Sequence, residues 1–280
     1  MFYFLCFFYV FIFFLLNSFT CNVVVWWVVF LMMTLVFISI NKGSVSSMVN
    51  YFMIQEILGF TFLLVSVSWV QLVILLMKVG VAPFHFWVFS VTNGLSGWSV
   101  MWFLTMQKLP FIPVIMYLSV SYFVYLVVLG IIFCYFQLFF VKGYKNMLVL
   151  ASTESFSWLV LMIFFSLSSG LLFGLFYIIF FYFLLDHSGS SELDSYNWET
   201  VFIFMNIPFA MTFFVKFFSL ISLFSSYTFL LLLVLFVMFL SVFSLGFWLC
   251  NMSTDFNFNI FKNRSYWYWF CYPLMFLCLI

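Results

Sequence analysis

Residues 71–87 read QLVILLMKVGVAPFHFW. A lysine, Lys78, stands inside a run of large apolar side chains, and Gly80, Pro83 and His85 follow it closely. Pro83 has no N–H to donate and its ring clashes with the preceding turn, so a helix cannot run through it undisturbed. The apolar run is of the length that crosses a bilayer. An ammonium beside a broken helix at membrane depth is costly to keep, and such a residue points to function.

Composition agrees with a membrane setting. Of 280 residues, 68% are hydrophobic and only 5% charged, against about 25% charged in a soluble domain. Eight basic and seven acidic side chains cannot make a water-facing surface for a chain of this length. Alternating ten-residue strands are absent, which leaves helices rather than a barrel as the way to satisfy the backbone in lipid. The fold class expected is therefore all-α, a polytopic bundle of transmembrane helices. The net charge of +1 argues against a nucleic-acid partner. The 49 phenylalanines fit a T-rich, organelle-like genome, since UUU encodes Phe, and need no functional explanation. The six cysteines form no CxxC pair and have no histidine at metal-ligand spacing, so no metal is expected. The first residues, MFYFLCFFYVFIFF, carry neither a basic lead nor a small-residue cleavage site, and read as a first span rather than a signal peptide.

Apolar runs between polar breaks divide the chain, as a single membrane domain, into about eleven spans. They fall at roughly 2–16, 23–40, 50–67, 69–91, 96–118, 121–141, 147–167, 169–185, 200–223, 227–250 and 266–280. All charges outside the spans lie in the loops after spans 2, 6, 8 and 10, including Lys42, Lys142, Lys145, Lys262, Arg264 and the acidic loop 186–199. With alternating spans these loops share one side with the N-terminus. The positive-inside rule places that side in the cytoplasm or matrix, and an odd number of spans then puts the C-terminus opposite.

Five charges remain inside spans: Glu56, Lys78, Lys108, Glu154 and Lys216. At roughly 3 kcal/mol each they total on the order of 15 kcal/mol, as much as a whole fold's stability. The competing reading is that one or two of them, Glu154 first, snorkel from a span end. Glu56 and Lys78 stand 11 residues before and after a turn near residue 67. At about 1.5 Å per residue, antiparallel helices hold them at similar depth. Two unit charges about 4 Å apart interact by roughly 4 kcal/mol at an effective dielectric of 20. Moving the carboxylate would then decide whether the lysine keeps its proton, and the reading is a relay in which lysines pass protons by this swing. His85 is either a further shuttle or a donor to carbonyls freed by Pro83; His187 lies in the polar loop and reads as solvated.

Lys78 lies near Pro83 and Lys216 near Pro208, five spans apart and so in opposite directions. Two proline-broken helices so placed are the layout of an inverted repeat in antiporter-like transporters.

These residues carry a resemblance. Lys78-Val79-Gly80-Val81-Ala82-Pro83-Phe84-His85-Phe86-Trp87 is similar to the KxGxAPFHFW signature of the subunit 2 family of NADH dehydrogenase, the mitochondrial respiratory complex I, in its short, nematode-like animal form. Gln107-Lys108-Leu109 resembles its QKL motif, KNMLVLASTESFSW (residues 145–158) resembles its segment after the next polar loop, and Lys216 falls where the family has its last membrane lysine. Order and spacing hold from about 23 to 224. The resemblance implies an antiporter-like, proton-translocating core subunit of NADH:ubiquinone oxidoreductase in the mitochondrial inner membrane, with its N-terminus in the matrix and its C-terminus in the intermembrane space. Its implied partners are the lipid bilayer and the other membrane-arm subunits of complex I, including neighbouring antiporter-like ones. It implies no cofactor on this chain: NADH, FMN, iron–sulfur clusters and ubiquinone belong to other subunits. The implied relay comprises Lys78, Lys108, Lys216, Glu56, Glu154 and His85.

The chain departs from the family in three places. Leu31 stands where the family has a second-span glutamate, so Glu56 is the replacement partner expected for Lys78. Glu154 stands one residue before the position, near Ser155, of a family histidine, about 100° round a helix; it is a candidate link between Lys108 and Lys216. The lead into the last broken helix is reduced to Asn206-Ile207-Pro208.

Two other functions fit the residues: an independent cation/proton antiporter, and a purely structural membrane subunit whose charges set helix packing. Asn251-Met252-Ser253 and Asn263-Arg264-Ser265 match the glycosylation triplet and should be bare in a mitochondrial protein.

Overall fold

The computed structural model describes residues 2–41, 44–95, 98–119, 123–141 and 144–165, together with scattered positions between 216 and 246. Expected spans 8 and 11, Pro208, the break paired with Lys216 and the acidic loop 186–199 lie outside the described residues.

The described chain is helical. In order it forms α1 (Phe2–Phe19), α2 (Val23–Ile40), α3 (Val45–Leu64), α4 (Ser68–Val79), α5 (Phe86–Asn93), α6 (Trp98–Leu104), a 3₁₀ turn at Met106–Lys108, α7 (Phe111–Leu118), α8 (Phe123–Leu138) and α9 (Tyr144–Phe165). Three helices among the described residues are long and apolar enough to cross a membrane: Val23–Ile40, Val45–Leu64 and Lys145–Phe164. Large apolar side chains such as Phe8, Phe11, Met53, Ile57, Leu129 and Phe136 face outward, as lipid requires and water would not allow.

Two helices are longer than their apolar runs. α1 continues past 16 to Phe19, and α3 begins at Val45 rather than at 50. Two serines that look like loop in the sequence, Ser18 and Ser47, have their hydroxyls satisfied by the helix itself. Ser18 Oγ donates to the Leu15 carbonyl at 2.7 Å and Ser47 Oγ to the Ser44 carbonyl at 3.0 Å, the back-bonding that lets such residues sit inside helices.

Expected span 4 is two helices separated by residues 80–85. Gly80, at φ 75°, takes the left-handed conformation that only glycine adopts freely. It closes α4 in a Schellman-like cap: the Gly80 N–H donates to the Leu76 and Met77 carbonyls and the Val81 N–H to Leu76. Other carbonyls at this end are met by side chains. Trp87 Nε1 donates to the Met77 carbonyl at 3.0 Å, and Gln55 Nε2, from α3, donates to the Lys78 carbonyl at 2.9 Å. A broken helix survives in lipid only where the freed groups are met in this way. The Ala82–Pro83 bond is cis.

Expected span 5 is broken as well. α6 stops at Leu104, a 3₁₀ turn carries Lys108, and α7 starts after Pro110. Pro113 sits in the first turn of α7, where its missing N–H has no intrahelical partner to lose. Asn17 of α1 reaches this break, its Nδ2 donating to the Pro110 carbonyl at 2.7 Å. α7 packs against α1, α4 and α9, so the second break lies inside the bundle beside the first.

The helix ends are consistent with alternating direction. Lys145, at the start of α9, donates from Nζ to the carbonyls of Asn93 and Leu95, at the end of α5. Gly94 lies against Ser47, near the start of α3. The loops after expected spans 2, 4 and 6 therefore gather at one end. At the other, Trp26 of α2 packs edge-on against Tyr117 of α7 at 5.3 Å.

Candidate functional site: a buried lysine file

Lys78 ends α4 with 3% of its surface exposed. Its ammonium lies 4.9 Å above the Phe30 ring, which is stacked on Phe111 at 4.4 Å. A cation over an aromatic face gains about 0.5–2 kcal/mol when desolvated. The ammonium also fills a notch at Gly59 of α3, where a Cβ would come within 3.3 Å of Nζ and 3.2 Å of Trp27 Nε1. Gln55 and Gly59 are four residues apart and share the α3 face that meets Lys78. Glu56 lies one residue round from that face and is half-buried. It is near enough to act on Lys78 electrostatically; among the described residues, however, the two do not form an ion pair within 4.0 Å. Leu31 is next in sequence to Phe30, the ring that meets the ammonium.

Lys108 is 5% exposed. Its Nζ reaches the Ser152 carbonyl of α9 at 3.5 Å and lies 5.1 Å from the Phe156 ring centre. Lys78 and Lys108 line one small cavity, together with Tyr51, Gln55, Trp87, Phe103 and Gln107. The two helix breaks thus bring the two lysines to a shared space.

α9 carries the file onward. Ser152 and Phe156 meet Lys108 on one face, while Glu154 turns toward α8. The Glu154 carboxylate forms an ion pair with Lys216 Nζ at 2.5 Å. The same Oε1 accepts from Tyr135 O–H, and from Trp158 Nε1 at 3.3 Å. Lys216 is 2% exposed and lies 5.9 Å from the Tyr135 ring centre. Glu154 does not snorkel. It is held by three donors, the arrangement that a buried charge needs. The hydroxyls of Ser152, Thr153, Ser155 and Ser157 donate to carbonyls of α9 itself, which leaves this polar stretch free to cross the core between the two lysines.

His85 is fully buried between the break and α8. Its Nε2 meets Gln137 Oε1 at 2.5 Å; an amide oxygen can only accept, so Nε2 carries the hydrogen. The charge of Lys108 reaches this ring, so His85 adjoins the file. α8 comes close to the break here because Gly130 has no side chain: a Cβ would fall 2.1 Å from the Ala82 carbonyl oxygen.

Lys78 and Lys108 share a cavity, and Glu154 and Lys216 are in contact. Glu56 and His85 act from the margin. The sequence reading misses Gln55, Gln107, Tyr135, Trp158 and Phe30. Gln107 stands in the QKL motif and Gln55 beside Glu56, the one signal for either. Tyr135 is one of 15 tyrosines, and nothing local singles it out.

No family model matches the chain. Among curated proteins it is 45% identical over 274 residues to NADH-ubiquinone oxidoreductase chain 2 of Caenorhabditis elegans, covering 95% of each chain. It is 45% identical over 280 residues to the protein of the same name from Ascaris suum, covering 99% of this chain and 93% of the other. Likeness this high over nearly the full length places this chain in the NADH-ubiquinone oxidoreductase chain 2 family.

Proposed function

We propose that the chain is a core membrane subunit of the respiratory NADH:ubiquinone oxidoreductase, complex I, in the mitochondrial inner membrane, and that it moves protons through the lysine file. The names of its nematode relatives support the assembly. The observation that carries the relay is the burial of Lys78, Lys108 and Lys216 at 3%, 5% and 2% exposure in an otherwise apolar bundle. Ammonium groups kept from water at this expense are the parts of an ion path.

In this reading no electron passes through the chain, and no flavin, iron–sulfur cluster or metal binds to it. Redox steps in other subunits shift the distance between each lysine and its carboxylate. Glu56 serves Lys78 and Glu154 serves Lys216. Lys108 meets a carbonyl and a ring and, among the described residues, has no carboxylate within ion-pair distance; it exchanges protons with the other two lysines. The N-terminus faces the matrix, where Lys145 and its neighbours gather, and the C-terminus faces the intermembrane space. The outward apolar faces of α1 and α3 meet lipid or neighbouring antiporter-like subunits of the membrane arm.

Lys108→Met in the assembled complex tests the relay. Vesicles containing it should oxidise NADH but show a lower proton-to-electron ratio. An unchanged ratio in a complex of normal size on a native gel leaves the chain a packing subunit. Activity of the chain on its own, outside any large assembly, would instead make it an independent antiporter.

A further inference from the structure

The cavity between Lys78 and Lys108 has about 10 Å³ of room for the centre of a water-sized sphere, close to the roughly 10–15 Å³ that one water needs. Two primary amides line it, Gln55 from α3 and Gln107 from the 3₁₀ turn. Both are buried, at 2% and 5% exposure. Their orientations are fixed by their nitrogens, since Gln55 Nε2 donates to the Lys78 carbonyl at 2.9 Å. Gln107 Nε2 donates to the Met33 carbonyl at 3.1 Å and to Tyr51 Oη at 2.6 Å. A backbone carbonyl can only accept, so neither amide can be turned round. The consequence is that both Oε1 atoms are buried acceptors without a protein donor among the described residues. Each such acceptor is expensive to leave bare, and two amides so placed on one water-sized cavity make a site for a small hydrogen-bond donor.

We propose that the carbonyl oxygens of Gln55 and Gln107 hold a single water molecule between Lys78 and Lys108. The water gives one hydrogen to each amide oxygen and turns its lone pairs to the ammonium groups. The site stands on cavity and amide geometry; its use rests on the relay reading above. In that use Lys108 is first a neutral amine and the water turns one of its hydrogens from Gln107 Oε1 to the Lys108 nitrogen; one proton then leaves the Lys78 ammonium for the water as another leaves the water for Lys108. One N–H and one O–H bond break as one O–H and one N–H bond form, and the water and total charge are unchanged. Gln55 and Gln107 are then positioning residues, which set the water and not the lysines.

The test is a density map of the whole complex at a resolution that shows ordered waters, for the unaltered protein and for Gln107→Met. The expected result is one density peak within hydrogen-bond distance of both amide oxygens, absent in Gln107→Met. No peak in the unaltered complex, where waters are seen elsewhere in the membrane arm, overturns the proposal. So does a peak that Gln107→Met leaves in place. If that variant does not assemble, Gln55→Met is read in the same way, and the unaltered map remains decisive alone. The relay reading fails separately: if Lys78→Met pumps normally while the peak is present, the water site stands and its use falls.

Discussion

Glu154 and Lys216 meet at 2.5 Å with 7% and 2% of their side chains exposed, a carboxylate and an ammonium paired inside an apolar bundle. Breaking such a pair by removing one partner costs about 3–5 kcal/mol, because the other charge is left buried. Glu154→Gln should therefore lower the amount of assembled complex on native gels. The double variant Glu154→Gln with Lys216→Met removes both charges and should recover most of the assembly. Its proton-to-electron ratio should stay low. Recovery of both would show that the pair serves packing alone.

Tyr135 separates the two roles of that pair more gently. Its hydroxyl donates to Glu154, which also has Lys216 and Trp158. A hydrogen bond to a charged group contributes about 1.5–3 kcal/mol. Tyr135→Phe removes it without a cavity and leaves the ion pair in place, so assembly should fall less than in Glu154→Gln. The Glu154 carboxylate should then sit less firmly, and the pumping rate should fall about tenfold or more on that energy scale. The measurement is proton uptake into vesicles at equal NADH oxidation.

Gly130 is a purely geometric test. Any Cβ there would fall 2.1 Å from the Ala82 carbonyl oxygen and 2.4 Å from its carbon. Backbone cannot move aside as a flexible side chain can, so Gly130→Ala must push α8 off the first helix break. Small residues permit such close approach between membrane helices. The expected loss is of the overpacking kind, about 1–3 kcal/mol or more, seen as reduced assembly. Gly59→Ala is the control: the contacts there are the ends of Trp27 and Lys78 at 3.2 and 3.3 Å, which can yield. It should assemble, with its effect confined to proton transfer.

The contrast between these positions shows where sequence was enough. The break at Pro83 is legible because proline acts locally, on its own N–H and the turn before it. Gly80 follows the same logic. The second break was open to the same argument through Pro110 and Pro113, but the apolar run reads as one span over 96–118. Glu56 shows the limit. Depth along a helix follows from counting residues, and the count puts Glu56 level with Lys78. Facing does not follow, because α3 is apolar over most of its circumference, and the residue that meets Lys78 is Gln55, about 100° away. The ring under the ammonium, Phe30, is one of 49 phenylalanines, and no local signal marks it. Tyr135 comes to Glu154 because α8 packs on α9, a relation between two helices that the residue types of neither one announce.

His85 poses the last question, whether a buried ring beside the file takes part in it. Its Nε2–H is accepted by Gln137 Oε1 at 2.5 Å. Removing the acceptor alone, Gln137→Leu, leaves a buried N–H unpaired and should cost about 1–3 kcal/mol of stability. Replacing both partners, His85→Leu with Gln137→Leu, removes donor and acceptor together and should be nearly neutral for assembly. If His85 only closes the gap between the break and α8, the double variant pumps normally. If it exchanges protons with Lys108, whose charge acts on the ring, the double variant assembles but its proton-to-electron ratio falls. The second outcome is expected. An imidazole fully buried 2.5 Å from a single amide, within the electrostatic range of a lysine and against no exposed surface, is an expensive way to fill space that a leucine would fill at less cost.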